Sequence, residues 1–200
     1  MIKIAVFISP KKKIKKKILS LKKIVWSDFG YQPYLSHPPH CTIFTMNVSK
    51  NILKKKNKLR KIKIKPILKN IITIKKTGLF SNDPITGGQT IYFEITKNSF
   101  LNTLQLELLK LFNKFKDNKI KTKFKFSWMH KNNNKYGYPF VGKNWIPHFT
   151  IASLTNLNKK NKFIKYFLNK KIRSRELVNK VYIYKINRDK HKYLWNMSIN

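Results

Sequence analysis

Two short segments of the sequence contain the same residue types in the same order: Pro-His-Cys-Thr-Ile at 39–43 and Pro-His-Phe-Thr-Ile at 147–151. An imidazole titrates near neutral pH, so one histidine can accept a proton from an attacking hydroxyl while the other donates a proton to a departing oxygen. Threonine hydroxyls can donate hydrogen bonds to the non-bridging oxygens of a phosphate, where negative charge builds up. These residue types therefore suit acid/base chemistry on a phosphate. The candidate groups are His40, Thr42, His148 and Thr150.

Each segment is predicted to lie on a β-strand, because its residues are mostly β-branched or aromatic and a proline precedes them. Successive side chains of a strand point to opposite faces, so the histidine and the threonine share one face and the apolar positions share the other. If the apolar face packs on a core, the open face offers one imidazole and one hydroxyl. Two such strands facing each other would provide two of each.

The paired motifs resemble the His-x-Thr-hydrophobic motifs of the two-histidine (2H) phosphoesterases, the superfamily of the bacterial 2′-5′ RNA ligases and 2′,3′-cyclic phosphodiesterases. The resemblance implies an α+β fold of two pseudo-symmetric lobes of antiparallel sheet, with outer helices around a central cleft. It also implies that His40 and His148 are catalytic and that Thr42 and Thr150 bind phosphate. In the family pattern the first histidine is often assigned as the acid and the second as the base, but the sequence leaves these roles interchangeable.

The elements around the motifs are predicted to form two similar halves. Periodicity predicts strand, helix, motif strand, helix and strand over residues 2–76 and again over 90–186. Amphipathic helices are expected after Pro10 and after an N-cap at Asn98 or Ser99, and a further helix is expected over about 158–171. A hairpin is expected at the C-terminal end. We therefore predict one bilobal domain over 1–200 with sequence halves of about 1–88 and 89–200. We do not assume that each half forms its own lobe.

The segment 118–145 is weakly patterned and is predicted to be a long loop inserted in the second half. Its aromatic residues are interleaved with lysines, a combination that suits base stacking beside phosphate contacts. As a group they are the best candidates for a lid that stacks on substrate. Alternatively, some of them fasten the loop to the body of the protein. The candidates for stacking are Trp128, Tyr136, Tyr138 and Trp145.

The net charge of +38 and the sequence pI of about 10.4 predict a polyanionic partner, and RNA is the obvious one for a phosphoesterase. A second explanation is genome composition, because lysine, asparagine and isoleucine are abundant while arginine is rare. Whatever its origin, such a charge steers anionic substrates and makes binding sensitive to salt.

Several other classes of protein are disfavoured. Cys41 is the only cysteine, which excludes an intramolecular disulfide and a cysteine-based zinc site, and we expect its thiol to be buried and inert. The 7 acidic residues all lie away from the motifs, so we expect no metal and no other cofactor. No segment has the length and hydropathy of a membrane span or a signal-peptide core. A cytoplasmic monomer without a membrane partner is expected.

The sequence thus predicts a metal-independent phosphoesterase that opens the 2′,3′-cyclic phosphates of RNA ends or of cyclic nucleotides, with one histidine as base and the other as acid. The same chemistry run backwards would join RNA ends through a 2′-5′ bond. A non-catalytic RNA-binding module on the same scaffold is a further alternative. Two other histidines, His37 in a loop and His191 at a turn, are expected to have no role.

Overall fold

A computed structural model describes residues 1–64, 69–117, 124, 126–187 and 190–199. Its fold is α+β, as predicted, with two four-stranded antiparallel sheets. In chain order the elements are β1 (Ile2–Ile8), α1 (Lys12–Phe29), β2 (Cys41–Val48), α2 (Asn51–Lys54), α3 (Lys56–Lys61), β3 (Ile71–Phe80), β4 (Gln89–Thr96), α4 (Ser99–Asn113), α5 (Ser127–Tyr136), a 3₁₀ turn (Gly142–Asn144), β5 (His148–Leu154), α6 (Lys162–Leu168), β6 (Ser174–Leu177), β7 (Lys180–Asn187) and β8 (Lys190–Ser198).

Each sheet has one motif strand at its edge, next to the first strand of the same sequence half. The strand order is β2-β1-β7-β8 in the first sheet and β5-β4-β3-β6 in the second. The halves exchange strands, since β3 pairs with β4 and β7 pairs with β1. The sequence halves 1–88 and 89–200 therefore each contribute strands to both sheets.

The two longest helices lie where their apolar periodicity predicts them. In α1 the buried apolar residues recur at three- and four-residue spacing, as expected for a helix with one face on a core: Ile14, Ile18, Leu21 and Val25. Helix α4 begins after Asn98, whose side-chain oxygen accepts a hydrogen bond from the Leu101 amide at 2.9 Å. This bond satisfies one of the amides that a helix start leaves without an intrahelical partner, so the predicted cap at Asn98 is confirmed.

The prediction of a structureless loop over 118–145 is wrong for the part that the structure describes. Helix α5 spans Ser127–Tyr136 and ends at Gly137, whose φ of 72° is the left-handed conformation that closes many helices. None of its residues is buried, so the sequence lacks the apolar stripe by which a helix is recognised. The parts of this prediction that concern 118–123 and 125 lie outside the described residues.

Two smaller differences occur near the C-terminal end. The helix predicted over 158–171 is shorter, since α6 spans only Lys162–Leu168. Strand β6 was not predicted, because its four residues alternate in burial over too short a length to give a clear pattern. The C-terminal hairpin is confirmed as the antiparallel pair β7 and β8.

Buried apolar side chains from both sheets and from α1, α4 and α6 form one contiguous cluster. The motif strands contribute their apolar faces to it, and this arrangement directs their polar faces outward. Across the described ranges, no helix has both the length and the apolar character needed to cross a membrane.

Candidate active site

The first motif lies where the chain enters β2. His40 directly precedes the strand and, like Thr42, is half-buried, whereas Cys41 and Ile43 are buried at 1% and 0% exposure. The alternation predicted from the sequence is therefore present. Burial raises the pKa of the Cys41 thiol to about 12, so this thiol stays protonated at neutral pH.

The second motif repeats this arrangement at the start of β5. His148 and Thr150 are half-buried, while Phe149 and Ile151 are fully buried in the core. The proline before each histidine is itself buried. The two strands thus present equivalent polar faces, as the sequence predicts.

Both histidine rings are held in the same orientation by the backbone just before them. Nδ1 of His40 lies 2.6 Å from the carbonyl oxygen of Pro38, and Nδ1 of His148 lies 2.7 Å from the carbonyl oxygen of Ile146. A carbonyl oxygen only accepts hydrogen bonds, so each Nδ1 carries the proton in this arrangement. Proton exchange at either ring would then take place at its Nε2 atom.

A β-bulge beside each motif supports the histidine with an aromatic ring. The β1–β2 register shifts between Val6 and Phe7, and Phe7 then pairs with Thr42. The β4–β5 register shifts between Ile91 and Tyr92 in the same way. Bulges re-aim side chains, and here the Phe7 ring centre lies 3.9 Å from that of His40.

The second bulge has its own supporting contacts. The Tyr92 ring centre lies 4.9 Å from that of His148, and Phe80 stacks on Tyr92 at 4.3 Å. Gly78 faces Tyr92 across the β3–β4 pair, and a Cβ atom at this position would come within 2.4 Å of the Tyr92 ring. A glycine is therefore needed here for the tyrosine ring to lie flat on β3.

The starts of the two motif strands are tied together, although they belong to different sheets. A backbone hydrogen bond from His148 reaches the Cys41 thiol, and the Trp145 indole donates to the carbonyl oxygen of Thr42 at 3.2 Å. The fully buried Gln105 amide donates to the carbonyl oxygens of Ile43 and Phe140 at 2.9 and 3.0 Å. These bonds give two carbonyl groups of β2 a partner and hold the starts of both motif strands in one region.

The charges around the first histidine disfavour its protonated form. The pKa of His40 is lowered to about 3, mainly because burial penalises the imidazolium and further because His191, His37 and Lys22 lie nearby. The hydrogen bond to Pro38 acts in the opposite direction. His40 is therefore unprotonated at neutral pH.

The second histidine has neighbours of the opposite sign. Burial lowers the pKa of His148 too, but the carboxylates of Asp83 and Glu94 raise it, as does the bond to Ile146. Glu94 lies directly opposite His148 in the β4–β5 register and also forms an ion pair with Lys76 at 3.1 Å. Protonation of His148 is therefore easier than burial alone would allow.

The structure brings together two histidines to which the sequence assigned no role. The rings of His37 and His191 lie 4.4 Å apart, and the His191 ring lies 5.4 Å from that of His40. The sequence contains no signal for this contact, because it depends on β7 and β8 joining the first sheet. Within the described residues no group of histidine, cysteine and acidic side chains is arranged to hold a metal ion.

The four residues predicted to stack on substrate divide into two pairs. Trp128 and Tyr136 are half-exposed on α5, and Trp128 stacks parallel to Phe126 with the ring centres 6.1 Å apart. Tyr138 and Trp145 are buried at 9% and 3% exposure. The last two therefore belong to the core, and their assignment as stacking residues is corrected, because a buried ring has no face to offer a base.

This chain has two antiparallel sheets, each with a His-x-Thr strand at its edge, as the resemblance to the two-histidine phosphoesterases implies. The model of one family, the AKAP7 2′5′ RNA ligase-like domain, matches residues 4–194. The chain therefore belongs to this family and, through it, to the two-histidine phosphoesterase superfamily. No curated protein matches the sequence significantly.

Solved structures show the same fold at low sequence identity. TT0787 of Thermus thermophilus aligns with a TM-score of 0.62 and 12% identity, over 98% of this chain and 97% of that one. LigT of E. coli complexed with 3′-AMP aligns with a TM-score of 0.58 and 11% identity, over 100% of this chain and 98% of that one. LigT complexed with ATP aligns with a TM-score of 0.57 and 12% identity, with the same coverage.

Proposed function

We propose that this protein opens the 2′,3′-cyclic phosphates of RNA ends or of cyclic nucleotides by acid/base catalysis with His40 and His148, without a metal ion. The observation that carries this proposal is the matched orientation of the two imidazoles. Each uses Nδ1 to hold a backbone carbonyl and so has Nε2 available for the mobile proton. Membership of a phosphoesterase superfamily supports the same chemistry.

In the proposed reaction a water molecule attacks the phosphorus atom of the cyclic phosphate. Nε2 of one histidine accepts a proton from this water as the new phosphorus–oxygen bond forms. The bond from phosphorus to one ribose oxygen breaks, and Nε2–H of the other histidine protonates that oxygen. The products are a phosphate monoester and a ribose hydroxyl, and exchange with solvent restores both imidazoles.

The threonines of the motifs are proposed to bind the phosphate during this step. Thr42 and Thr150 share the half-exposed faces of His40 and His148, two positions along each strand. Their hydroxyls would donate hydrogen bonds to the non-bridging oxygens, whose negative charge grows in the transition state. Such donors act without reorganisation because the strands hold them in place.

The substrate is proposed to be RNA or a nucleotide. The net charge of +38 favours a polyanion, and the similar LigT of E. coli has been crystallised with 3′-AMP and with ATP. We propose that Trp128 and Tyr136, the two candidates that remain half-exposed, stack on a base next to the reacting phosphate.

A second candidate activity acts on 2′-5′ phosphodiester bonds. The matching family is described as 2′5′ RNA ligase-like, which favours the formation or cleavage of such bonds. Ligation would open the same cyclic phosphate with the hydroxyl of a second RNA end in place of water. The attacking oxygen, which loses its proton to one histidine, bonds to phosphorus, the bond from phosphorus to the 3′ ribose oxygen breaks, and the other histidine protonates that oxygen, so the same four side chains would serve. Substrates with 2′-5′ linkages therefore belong in the same assay.

The test is the turnover of a short RNA that ends in a 2′,3′-cyclic phosphate, measured in EDTA. Unaltered protein is compared with His40→Gln and His148→Gln, prepared identically to control for contaminating ribonuclease. We expect each substitution to lower kcat/KM by about 10²- to 10⁴-fold, the usual contribution of one acid or base. His130→Gln, which changes an exposed histidine on α5, serves as the matched control.

Equal turnover by all four proteins would contradict the proposal, because activity would then come from another site or from a contaminant. Equal RNA binding without turnover of cyclic, 2′-5′ or 3′-5′ phosphodiesters would instead favour the non-catalytic RNA-binding module. Complete inhibition by EDTA would contradict the metal-independent mechanism.

A further inference from the structure

His40 is part of a three-imidazole cluster assembled from distant segments of the chain. His37 comes from the loop before β2 and His191 from the second position of β8. The ring centres lie 4.4 Å apart for His37 and His191, 5.4 Å for His40 and His191, and 6.3 Å for His37 and His40. All three rings are half-buried, so water screens their mutual interaction only in part.

The positions of the two outer rings are supported by specific contacts. The ammonium group of Lys22 on α1 donates to the carbonyl oxygens of Tyr34 and His37, at 2.5 and 2.7 Å, and so fixes the loop that carries His37. The Phe7 ring packs against both His40 and His191, with centres 3.9 and 5.4 Å away. The cluster is thus built into the fold.

Like charges at these separations repel one another, so a proton on His37 or His191 disfavours a proton on His40. Of the described titratable groups, those facing His40 are His37 from its own loop, His191 from β8 and Lys22 from α1, all cationic when protonated. Each of them therefore favours the unprotonated form of His40.

We propose that His37 and His191 are positioning residues that keep His40 unprotonated, which makes His40 the general base and His148 the general acid when a cyclic phosphate is opened by water. This inference deepens the proposed function and depends on it for the roles of the two histidines. It reverses the order often assigned in the family pattern. His40 accepts the proton of the attacking water, and His148 donates a proton to the departing ribose oxygen.

The opposite environment of His148 agrees with this assignment. Burial lowers the pKa of His148 too, but Asp83, in the turn before β4, and Glu94 on β4 act against this effect and favour the imidazolium that an acid must present. Tyr92 and Phe80 supply the ring contacts on this side, and neither carries a positive charge. One motif therefore lies among cationic groups and the other beside carboxylates.

The proposal is tested by NMR titration of ¹⁵N-labelled histidine side chains, a readout that requires no turnover. In the unaltered protein the ring of His40 is expected to stay neutral well below the pH at which free imidazole gains a proton. In the double variant His37→Asn/His191→Asn the proton affinity of His40 should rise about tenfold or more. His130→Asn is the matched control, since His130 lies on α5 and contacts Phe124 instead of this cluster.

The pH profile of kcat/KM provides the second readout. Loss of the two rings should move its acidic limb to higher pH, because a more basic His40 is protonated sooner as the pH falls. A merely structural role would lower activity at every pH without moving this limb. The single variants His37→Asn and His191→Asn are each expected to show part of this shift. They can therefore be measured instead if the double variant does not fold.

An unchanged or lower proton affinity of His40 in the variants would overturn the proposal. The NMR result also separates this inference from the proposed function. A raised affinity in a protein without phosphodiesterase activity would support the positioning role and refute the function. Activity that requires both motif histidines, together with an unchanged proton affinity of His40 in the His37 and His191 variants, would support the function and refute the positioning role.

Discussion

The surroundings of His40 and His148 are alike in geometry and opposite in charge. Each ring donates from Nδ1 to a carbonyl two residues earlier, and each rests on an aromatic residue next to a β-bulge. However, His40 is surrounded by His37, His191 and Lys22, whereas Asp83 and Glu94 act on His148. The motif thus orients the imidazole. Burial lowers the pKa of both rings, and charged residues outside the motif add to this effect at His40 and oppose it at His148.

The two sites also differ in the residue that pairs with the aromatic ring beside each motif histidine. Phe7 pairs with Tyr182 on β7, and Tyr92 pairs with Gly78 on β3. Only the glycine allows the facing ring to lie flat, and Tyr92 is therefore buried between β3 and His148. Equivalent positions behind the two motifs thus differ in residue size as well as charge, so the symmetry of the motif side chains does not extend to the residues that support them.

The sharpest test of the comparison is the pH profile of the two motif variants. Both His40→Gln and His148→Gln should lower kcat/KM by about 10²- to 10⁴-fold. The residual activity of His40→Gln should lose its acidic limb, because the group that must be unprotonated is gone. That of His148→Gln should lose its basic limb. Loss of the same limb in both variants would contradict the division of roles.

Replacement of the motif threonines tests a property in which the two motifs should be alike, namely the binding of the phosphate. Thr42→Val and Thr150→Val each remove one hydroxyl that we propose donates to the phosphate, and we expect kcat to fall by about 10²- to 10³-fold in each case. Thr96→Val, at the exposed end of β4, is the control for the substitution itself. A loss confined to one motif would show that only one threonine contacts the phosphate.

The glycine behind Tyr92 is expected to matter for stability. Gly78→Ala places a Cβ atom 2.4 Å from the Tyr92 ring, which Phe80 and His148 hold on its other sides. We expect the free energy of unfolding in urea to fall by about 1–3 kcal/mol, as for other overpacked sites. Adding Tyr92→Leu should recover part of the loss. A more stable Gly78→Ala protein would mean that the ring moves aside without cost.

The smallest expected effect concerns the charge opposite His148. Glu94→Gln removes a carboxylate that raises the pKa of His148, so the basic limb of the pH profile should move to lower pH. Glu94 is partly exposed and paired with Lys76, and such charges contribute only about 0.2–1 kcal/mol. Glu107→Gln, on the exposed side of α4, is the control. A shift in the acidic limb would contradict the assignment of His148 as the acid.

The local sequence pattern predicted the motif strands correctly, but it did not predict the structure of the segment between α4 and β5. Alternation in β2 and β5 follows from the two-residue repeat of a strand and needs no knowledge of partners. The aromatics of 118–145 have no such repeat, so the sequence could not distinguish the half-exposed Trp128 from the buried Trp145. Burial of an aromatic residue among lysines depends on what packs over it.

The sequence by itself determined which residue types could do chemistry and which face of each strand would carry them, because strand and helix periods are properties of the local backbone. Only the tertiary structure decided what surrounds each histidine. The exchange of β3 and β7 between sheets brings His191 to His40, and Gln105 joins the two motif regions through its buried amide. These contacts join residues far apart in the chain, and no local pattern encodes which distant strands will pair.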